Sequence, residues 1–307
     1  LHQRSFEALN TAIEHFRRAI SGAPGYARAY CGLADCYTIM ASYGMSPSSV
    51  LVEAKAAVTM ALQCDPLLPE AHTSLALVSA VREWDWGASE QEFRRSVALN
   101  PREGMTHALY SAYCLGPQGR LDEALKEMEL ARDLDPLCLT INMGVGVVRM
   151  WRREYFEAVR QLRRVIELDP NHARAYTHLG RTYAAQGAYE EALSCFEQYR
   201  RLSGSSFGVL AEIACCQARL GNRDGARDLL GQLHANAGGA YVSPVDIARA
   251  HAALDESAAC ADWIEMARRS RDSWLVFLAV DPVFDSMRGL PQFPTLLQEL
   301  HLRTGSH

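Results

Sequence analysis

The 307-residue sequence lacks the features that mark membrane proteins and disulfide-rich secreted domains. No apolar run approaches the roughly 18 residues that a transmembrane helix needs. The opening residues LHQRSFEALN do not form a signal peptide. The nine cysteines include no CxxC pair and lie mostly among apolar neighbours, so we interpret them as reduced core residues. These absences predict a cytoplasmic protein that makes no contact with a membrane.

Sequence motifs for catalysis and cofactor binding are also lacking. The ten histidines include no HExxH, and the chain has no GxSxG and no glycine-rich phosphate loop. No cysteine has an identifiable base near it in sequence. Paired carboxylates such as Glu190 and Glu191 are typical of a solvated helix face. We therefore expect no enzymatic activity, no metal site and no cofactor in this chain.

The sequence has no large excess of charge of either sign. A net charge of −5 gives no general attraction to nucleic acid or to an anionic membrane. One local exception is RMWRREYFEAVRQLRR at 149–164, where arginines and aromatic residues alternate as they do in some single-strand-binding proteins. This run crosses a predicted junction between two helices, and Glu154 and Glu157 partly neutralise it. We therefore favour solvated or inter-repeat ion pairs there, and no direct binding of nucleic acid.

What the sequence does contain is a repeat of about 34 residues. A larger apolar residue follows each small repeat residue by four positions, as at Phe93 and Phe196, which places both on one helical stripe. Each of these helices is preceded by another, the first helix of the repeat unit, which carries an apolar–small pair such as Leu179-Gly180. The small residue of the pair lets the two helix backbones approach closely. Turn signals separate the two helices, and a proline follows the second. The small residues of the repeat are Ala12, Ala54, Ser89, Ala124, Ala158, Ala192, Ala226 and Cys260.

A 34-residue unit of two antiparallel helices resembles the tetratricopeptide repeat. The clearest copy is AYTHLGRTYAAQGAYEEALSCFEQY, and its residues at signature positions are Tyr176, Leu179, Gly180, Tyr183, Gly187, Ala192 and Phe196. The resemblance implies an all-α, right-handed superhelical solenoid of antiparallel helix hairpins. We expect an array of about eight repeats over 1–268, the first one partial, with an insertion near 38–53. Residues 269–307 are expected to form capping helices and a tail that could cover the last hairpin.

Three phrases go beyond the generic repeat: WDWGASEQEFRRSVALNP, DEALKEMELARDLDPLCLTIN and VDPVFDSMRGLPQF. Together they resemble the repeat regions found C-terminal to bacterial signalling modules, namely winged-helix transcriptional regulators, adenylate cyclases and serine/threonine kinases. The resemblance implies a non-catalytic interaction or sensing module of a bacterial regulator, and the opening Leu1 suggests an excerpt from a longer protein. Two alternatives stay open: the regulatory region of a kinase or cyclase whose catalytic domain lies upstream, and a small-molecule sensor. Trp84 and Trp86 are expected to pack between neighbouring hairpins.

The candidate binding site is the concave surface, which in this repeat family is lined by the first helix of each hairpin. The predicted groove is apolar and rich in methionine, with two arginines on one flank: Thr73, Leu77, Met105, Ala108, Ala112, Met143, Val147, Met150, Arg174, Thr177 and Arg181. Methionine surfaces adapt to varied partners and arginine binds carboxylates bidentately, so a peptide with an apolar segment and an acidic group would suit this groove. Alternatively, the stripe packs against neighbouring repeats or against a second copy of the chain in a homo-oligomer. With a peptide partner, Arg181→Glu is expected to weaken binding and leave thermal unfolding nearly unchanged.

Overall fold

The computed structural model describes residues 6–41, 47–203, 209–236 and 242–302. Its regular structure over these ranges is helical, with no β-strand among the described residues, which confirms the all-α prediction. Sixteen α-helices follow one another in this part of the chain. They are α1 Phe6–Gly22, α2 Ala27–Ala41, α3 Pro47–Cys64, α4 Pro69–Val78, α5 Trp86–Leu99, α6 Gly104–Tyr110, α7 Leu121–Leu134, α8 Leu139–Trp151, α9 Tyr155–Leu168, α10 Ala173–Ala185, α11 Tyr189–Ser203, α12 Leu210–Arg219, α13 Arg223–Asn236, α14 Pro244–Ala253, α15 Ser257–Ser270 and α16 Phe293–Glu299.

The helices from α2 to α15 pack as seven successive hairpins, and α1 packs on α2 as the second helix of an incomplete unit. Two of the first helices continue beyond their α-helical part as π-helical turns. These turns span Ser79–Glu83 after α4 and Ser111–Leu115 after α6. The second helices α5, α7, α9, α13 and α15 are each 14 residues long, whereas α3 has 18. Part of the predicted insertion therefore lengthens α3, and 42–46 lie outside the described residues.

The turns inside the six hairpins from α4–α5 to α14–α15 repeat one backbone conformation. The residues with positive φ at these turns are Trp84, Gly119, Arg153, Gly187, Gly221 and Asp255, spaced 34 or 35 residues apart. Glycine adopts this left-handed conformation without a steric penalty, whereas other residue types pay a modest one. The repeat therefore sets the backbone shape of the turn even where its residue is not glycine.

Close packing between the two helices of a hairpin depends on the small residues of the repeat. A Cβ added to Gly180 would lie 2.5 Å from the Phe196 ring, and one added to Gly146 would lie 2.7 Å from Leu162. The small residues of the second helices are fully buried from the second repeat onward: Ala54, Ser89, Ala124, Ala158, Ala192, Ala226 and Cys260. The helix-packing role that the sequence pattern predicts is thus confirmed.

A recurring polar contact ties three first helices to the loop that precedes them. The imidazole of His107 lies 3.1 Å from the Pro101 carbonyl oxygen through Nε2 and 2.6 Å from Glu127 Oε2 through Nδ1. His72 makes the same pair of contacts with Pro66 and Glu92. In the next hairpin the Asn142 amide donates to the Pro136 carbonyl. This recurring polar contact was not predicted from the sequence, although the two histidines are 35 residues apart, which is the spacing of the repeat.

The chain beyond α15 departs from the repeat. It forms two 3₁₀ turns, Ser273–Phe277 and Pro282–Met287, and then α16. We call 272–302 the C-terminal segment. It contacts the last hairpin through α14, as a cap would, but it continues to α10 and to the π-helical end of α4. The capping role and the domain boundary at residue 268 stay predictions, and the contacts with α10 and α4 come in addition to them.

Candidate functional site

The C-terminal segment lies against the first helices of the hairpins, which is the surface that the sequence identified as the candidate groove. The Phe277 ring stacks on Trp151 of α8 at 5.5 Å between centroids and meets Tyr113 edge-on at 5.8 Å. The first 3₁₀ turn of the segment contacts the π-helical end of α4, and the second contacts α10 and α14. An irregular, aromatic-rich stretch of the same chain thus occupies much of this face.

Polar contacts anchor both ends of this segment to the corner before α5. Trp86 Nε1 donates to the Leu300 carbonyl oxygen at 2.7 Å, across 214 positions of sequence. The Arg271 guanidinium lies 4.6 Å above the Trp84 ring and donates to the Arg82 carbonyl oxygen at 2.5 Å. The two tryptophans were expected to pack between neighbouring hairpins, and this stays a prediction. Both are buried, and in addition Trp84 contacts Arg271, directly before the C-terminal segment, while Trp86 contacts Leu300 near its end.

A buried charged cluster lies beneath the segment, at α10, α12 and α14. Arg181 Nε donates to Glu212 Oε1 at 2.6 Å, and Arg249 binds the other carboxylate oxygen of Glu212. Burial alone would raise the pKa of Glu212, but the charges and hydrogen bonds of the two arginines outweigh it and lower this pKa to about 2. The guanidinium of Arg181 also lies 4.9 Å above the Trp274 ring. Both arginines therefore hold an internal carboxylate.

This geometry corrects the expectation for Arg181→Glu. Arg181 is buried and already paired, so the substitution would place a second carboxylate against Glu212 away from water. Removing one partner of a buried ion pair costs roughly 3–5 kcal/mol, and adding a like charge costs more. The prediction of nearly unchanged thermal unfolding was wrong, because sequence spacing does not show the acid that lies 31 positions away.

Two buried aspartates shape the 3₁₀ turns of the segment. Asp272 Oδ1 accepts from the Trp274 amide at 2.9 Å, and Asp281 Oδ1 accepts from the Val283 amide at 3.0 Å. The Ser243 hydroxyl donates to Asp272 Oδ2 at 2.7 Å, which connects the start of the segment to α14. Burial raises the pKa of Asp281, although the charge of Arg181 acts to lower it. These contacts fix the shape of the segment as firmly as capping fixes a helix.

The predicted groove residues divide into two sets in the structure. Thr73 lies inside the array rather than on its surface, with its hydroxyl 2.8 Å from that of Ser96 and 3.1 Å from that of Thr106. The buried set consists of Thr73, Leu77, Ala108, Met143, Met150 and Arg181. The accessible set consists of Met105, Ala112, Val147 and Thr177, which are partly exposed, and Arg174, which is exposed. The buried set is inaccessible to a ligand in this structure, and of its members Arg181 contacts the C-terminal segment through Trp274.

The arginine-rich run at 149–164 also divides. Arg149 pairs with Glu129 and Glu154, and Arg153 pairs with Asp285 of the C-terminal segment at 2.8 Å. The inter-repeat ion pairs favoured from the sequence are confirmed for this first half of the run. The second half, on α9, faces solvent and is described further below.

The cysteines and the possible metal ligands of the described residues show no reactive arrangement. The nine cysteines are unpaired thiols, and burial raises the pKa of Cys114 and of Cys260 to about 11, which disfavours the nucleophilic thiolate. No three histidine, cysteine or acidic side chains come together as metal ligands among the described residues. Among these residues, no helix combines the length and the apolar character needed to span a membrane.

Comparison with known proteins agrees with this hairpin architecture. Residues 137–204, which cover α8 to α11, match the family model of the tetratricopeptide repeat. A crystal structure of TTC0263, a thermophilic tetratricopeptide protein of Thermus thermophilus, superposes with a TM-score of 0.52 at 18% identity, covering 60% of this chain and 98% of that one. The fold is that of a tetratricopeptide-repeat solenoid. Such repeats are generally non-catalytic scaffolds for protein–protein interaction, and this solenoid shares their architecture.

Two curated relatives share sequence with this tetratricopeptide solenoid. The transcriptional regulator HilA of Salmonella typhimurium is 24% identical over 160 residues, which are 52% of this chain and 28% of HilA. The repeat-containing protein YpiA of Bacillus subtilis is 26% identical over 208 residues, which are 67% of this chain and 47% of YpiA. The chain therefore matches less than half the length of either relative.

Proposed function

We propose that this chain is a non-catalytic scaffold of a bacterial regulator, and that it recognises a segment of a partner protein in the concave groove. The observation that supports this proposal is the C-terminal segment itself. The groove already holds an irregular stretch of polypeptide by stacking aromatic rings, capping a carbonyl with Trp86 and pairing Arg153 with Asp285. These are the interactions by which a groove binds an extended peptide.

The partner is proposed to bind beside the C-terminal segment rather than in its place. Leu275, Phe284, Met287 and Leu300 of the segment are each at most 1% exposed. Exposing a buried side chain of this size costs roughly 1.5–3 kcal/mol, so displacing the segment would consume most of the stability of an ordinary domain. The surface proposed for the partner is the accessible set. In it, Met105 would contact the apolar part of the partner segment and Arg174 its acidic group.

A place in a regulator is proposed from the similarity to HilA, which is named a transcriptional regulator. The match covers 52% of this chain and 28% of HilA, so the proposal concerns an interaction module in the bacterial cytoplasm and assigns no DNA contact to these residues. In this proposal, binding of a partner at the groove changes the activity of the regulator to which the array belongs.

The test compares two double variants of the full chain. Met105→Gln with Arg174→Glu alters the accessible groove, and Met60→Gln with Arg201→Glu makes the same exchanges at exposed positions of α3 and α11. Each tagged protein is incubated with an extract of its own bacterium, and the retained proteins are quantified by mass spectrometry. We expect a partner that the wild type and the control retain and that the groove variant loses. Equal retention by all three proteins would contradict the groove as the binding site.

A further inference from the structure

The solvent-facing side of α9 carries a second surface that the groove does not explain. Phe156 is 75% exposed, although a phenylalanine is normally buried. Arg160, Arg163 and Arg164 follow it at helical spacing, so the ring and three guanidinium groups share one face. Isolated exposed apolar residues need no explanation, but an exposed ring within an arginine cluster is a feature of binding surfaces.

The same face borders a continuous depression between α7 and α9. Two adjoining cavities of about 840 and 230 Å³ share Arg132, Gln161 and Arg164 among their lining residues. The depression runs from Phe156 to Pro136 at the corner between α7 and α8. Its floor is ordered, because the Gln161 amide donates to the backbone and side-chain oxygens of Asn142 at 3.2 Å. The surface is therefore a formed groove with a fixed base.

The positive charge of this groove is only partly neutralised within the chain. Arg160 pairs with Glu157 on its own helix, and Arg132 is 3.6 Å from its neighbour Asp133. Arg163 donates to the Tyr183 hydroxyl rather than to an acid. Among the described residues Arg164 forms no ion pair within 4 Å, although Glu167 lines the same cavity. Four arginines therefore line the two cavities beside two acidic residues, Asp133 and Glu167.

We propose that this outer groove docks an acidic segment of a partner protein in which an aromatic or leucine side chain lies among carboxylates. Guanidinium groups recognise carboxylates through paired, directional hydrogen bonds, and Phe156 offers the apolar contact that such a segment would bury. We call the residues Arg132, Phe156, Arg160, Arg163 and Arg164 the outer site. It lies on α7 and α9, the second helices of two neighbouring hairpins, and includes none of the residues of the proposed concave site.

A protein segment fits the outer site better than a nucleic acid does. Proteins that bind single strands stack successive bases on several aromatic rings along a positive groove. Here Phe156 is the single aromatic side chain among the described residues that line the depression. The negative net charge of the chain would also repel a long polyanion beyond the site. A short acidic segment would contact only the arginines of the outer site, so the net charge of the chain would affect its binding less.

The experiment uses the full chain and a fluorescein-labelled peptide of glutamates interspersed with phenylalanine. Binding is followed by fluorescence anisotropy for the wild type, for Arg160→Glu with Arg164→Glu, and for the control Arg200→Glu with Arg201→Glu on exposed α11. We expect the outer-site variant to bind roughly tenfold more weakly, as is typical when charged contacts are reversed, and the control to bind like the wild type. Phe156→Ser should weaken binding of this peptide but not of a second peptide that carries serine in place of phenylalanine.

Three results would overturn the proposal: no binding to the wild type, equal binding by both charge-reversal variants, or binding of oligothymidylate in preference to the peptide. The milder variant Arg164→Gln tests the same site with a smaller perturbation, and thermal unfolding of each variant confirms that it is folded. Raising the salt concentration should weaken peptide binding, because the guanidinium groups are exposed and their attraction is screened.

Discussion

Trp84 and Trp86 are two residues apart, yet the structure gives them different roles. The indole N–H of Trp86 donates to the Leu300 carbonyl, whereas that of Trp84 is buried without a hydrogen-bond partner among the described residues. Trp84 instead offers its ring to the Arg271 guanidinium at 4.6 Å. The sequence placed both residues at the corner of a hairpin but could not assign these contacts, since both partners come from the far end of the chain.

We expect Trp86→Phe to destabilise the protein more than Trp84→Phe does. Both changes remove a similar ring area, but only the first leaves the buried Leu300 carbonyl without its donor, which costs roughly 1–3 kcal/mol. Chemical denaturation monitored by circular dichroism measures the two free energies of unfolding. Equal losses would show that the hydrogen bond to Leu300 contributes nothing.

His107 is expected to make stability depend on pH. The hydrogen bond to Glu127 raises its pKa, and this effect exceeds that of burial, which acts to lower it. Because the folded pKa is raised above the unfolded value of about 6.5, the stabilisation is fully present below that pH and is lost as pH rises through the folded pKa.

The matched variant for His107 is His107→Asn, since Asn142 takes the equivalent position in the next hairpin. We expect its free energy of unfolding to fall less than that of the wild type between about pH 6 and pH 8, because asparagine does not titrate in this range. Denaturant titrations at the two pH values provide the measurement. Identical changes in both proteins would mean that His107 is not charged in the folded state.

At the scale of the element, the hairpin is specified by contacts between residues close in sequence. The residue pairs that bring two helices together, such as Gly146 with Leu162 and Gly180 with Phe196, are 16 positions apart. Their spacing is visible in the sequence because each repeat contains the same pair. For this reason the hairpins, their turns and their buried stripes could be predicted from the order of the residues alone.

Gly180→Ala tests whether the stability of the hairpin depends on this close approach of its two helices. The added methyl group would lie 2.5 Å from Phe196, so we expect a loss of roughly 1–3 kcal/mol from overpacking. Gly231→Ala is the control, because the same methyl group on α13 meets nothing within 4 Å and should stabilise its helix by up to about 1 kcal/mol. The prediction fails if the two alanine variants shift the thermal midpoint in the same direction.

At the scale of the whole molecule, the C-terminal segment changes the character of the array. Repeats in an open solenoid contact only their neighbours, so their stability is a sum of local terms. Here the segment joins the corner before α5 to α8, α10 and α14, and so connects repeats that are not neighbours in the array, such as those of α5 and α14. We infer that the array and the segment unfold together.

Phe284→Ala measures how far the segment belongs to the core. Phe284 is 1% exposed, and its ring lies 5.9 Å from the Arg249 guanidinium. We expect Phe284→Ala to cost about 3–5 kcal/mol, as much as Phe196→Ala inside a hairpin. Both are measured by denaturant unfolding. A small loss for Phe284→Ala beside a large one for Phe196→Ala would show that the segment is a loosely held lid.

The sequence by itself determined the helices and the hairpins, because these depend on periodic contacts within 34 residues. It also predicted a groove along the first helices, where Arg174 is exposed and Met105 and Val147 are partly exposed. Only the tertiary structure decided that the C-terminal segment lies against these helices. The pairing of Arg181 with Glu212 and the contact of Trp86 with Leu300 join residues whose separation follows no period. No local pattern encodes such contacts, since they arise where a non-repeating segment meets an array that is already folded.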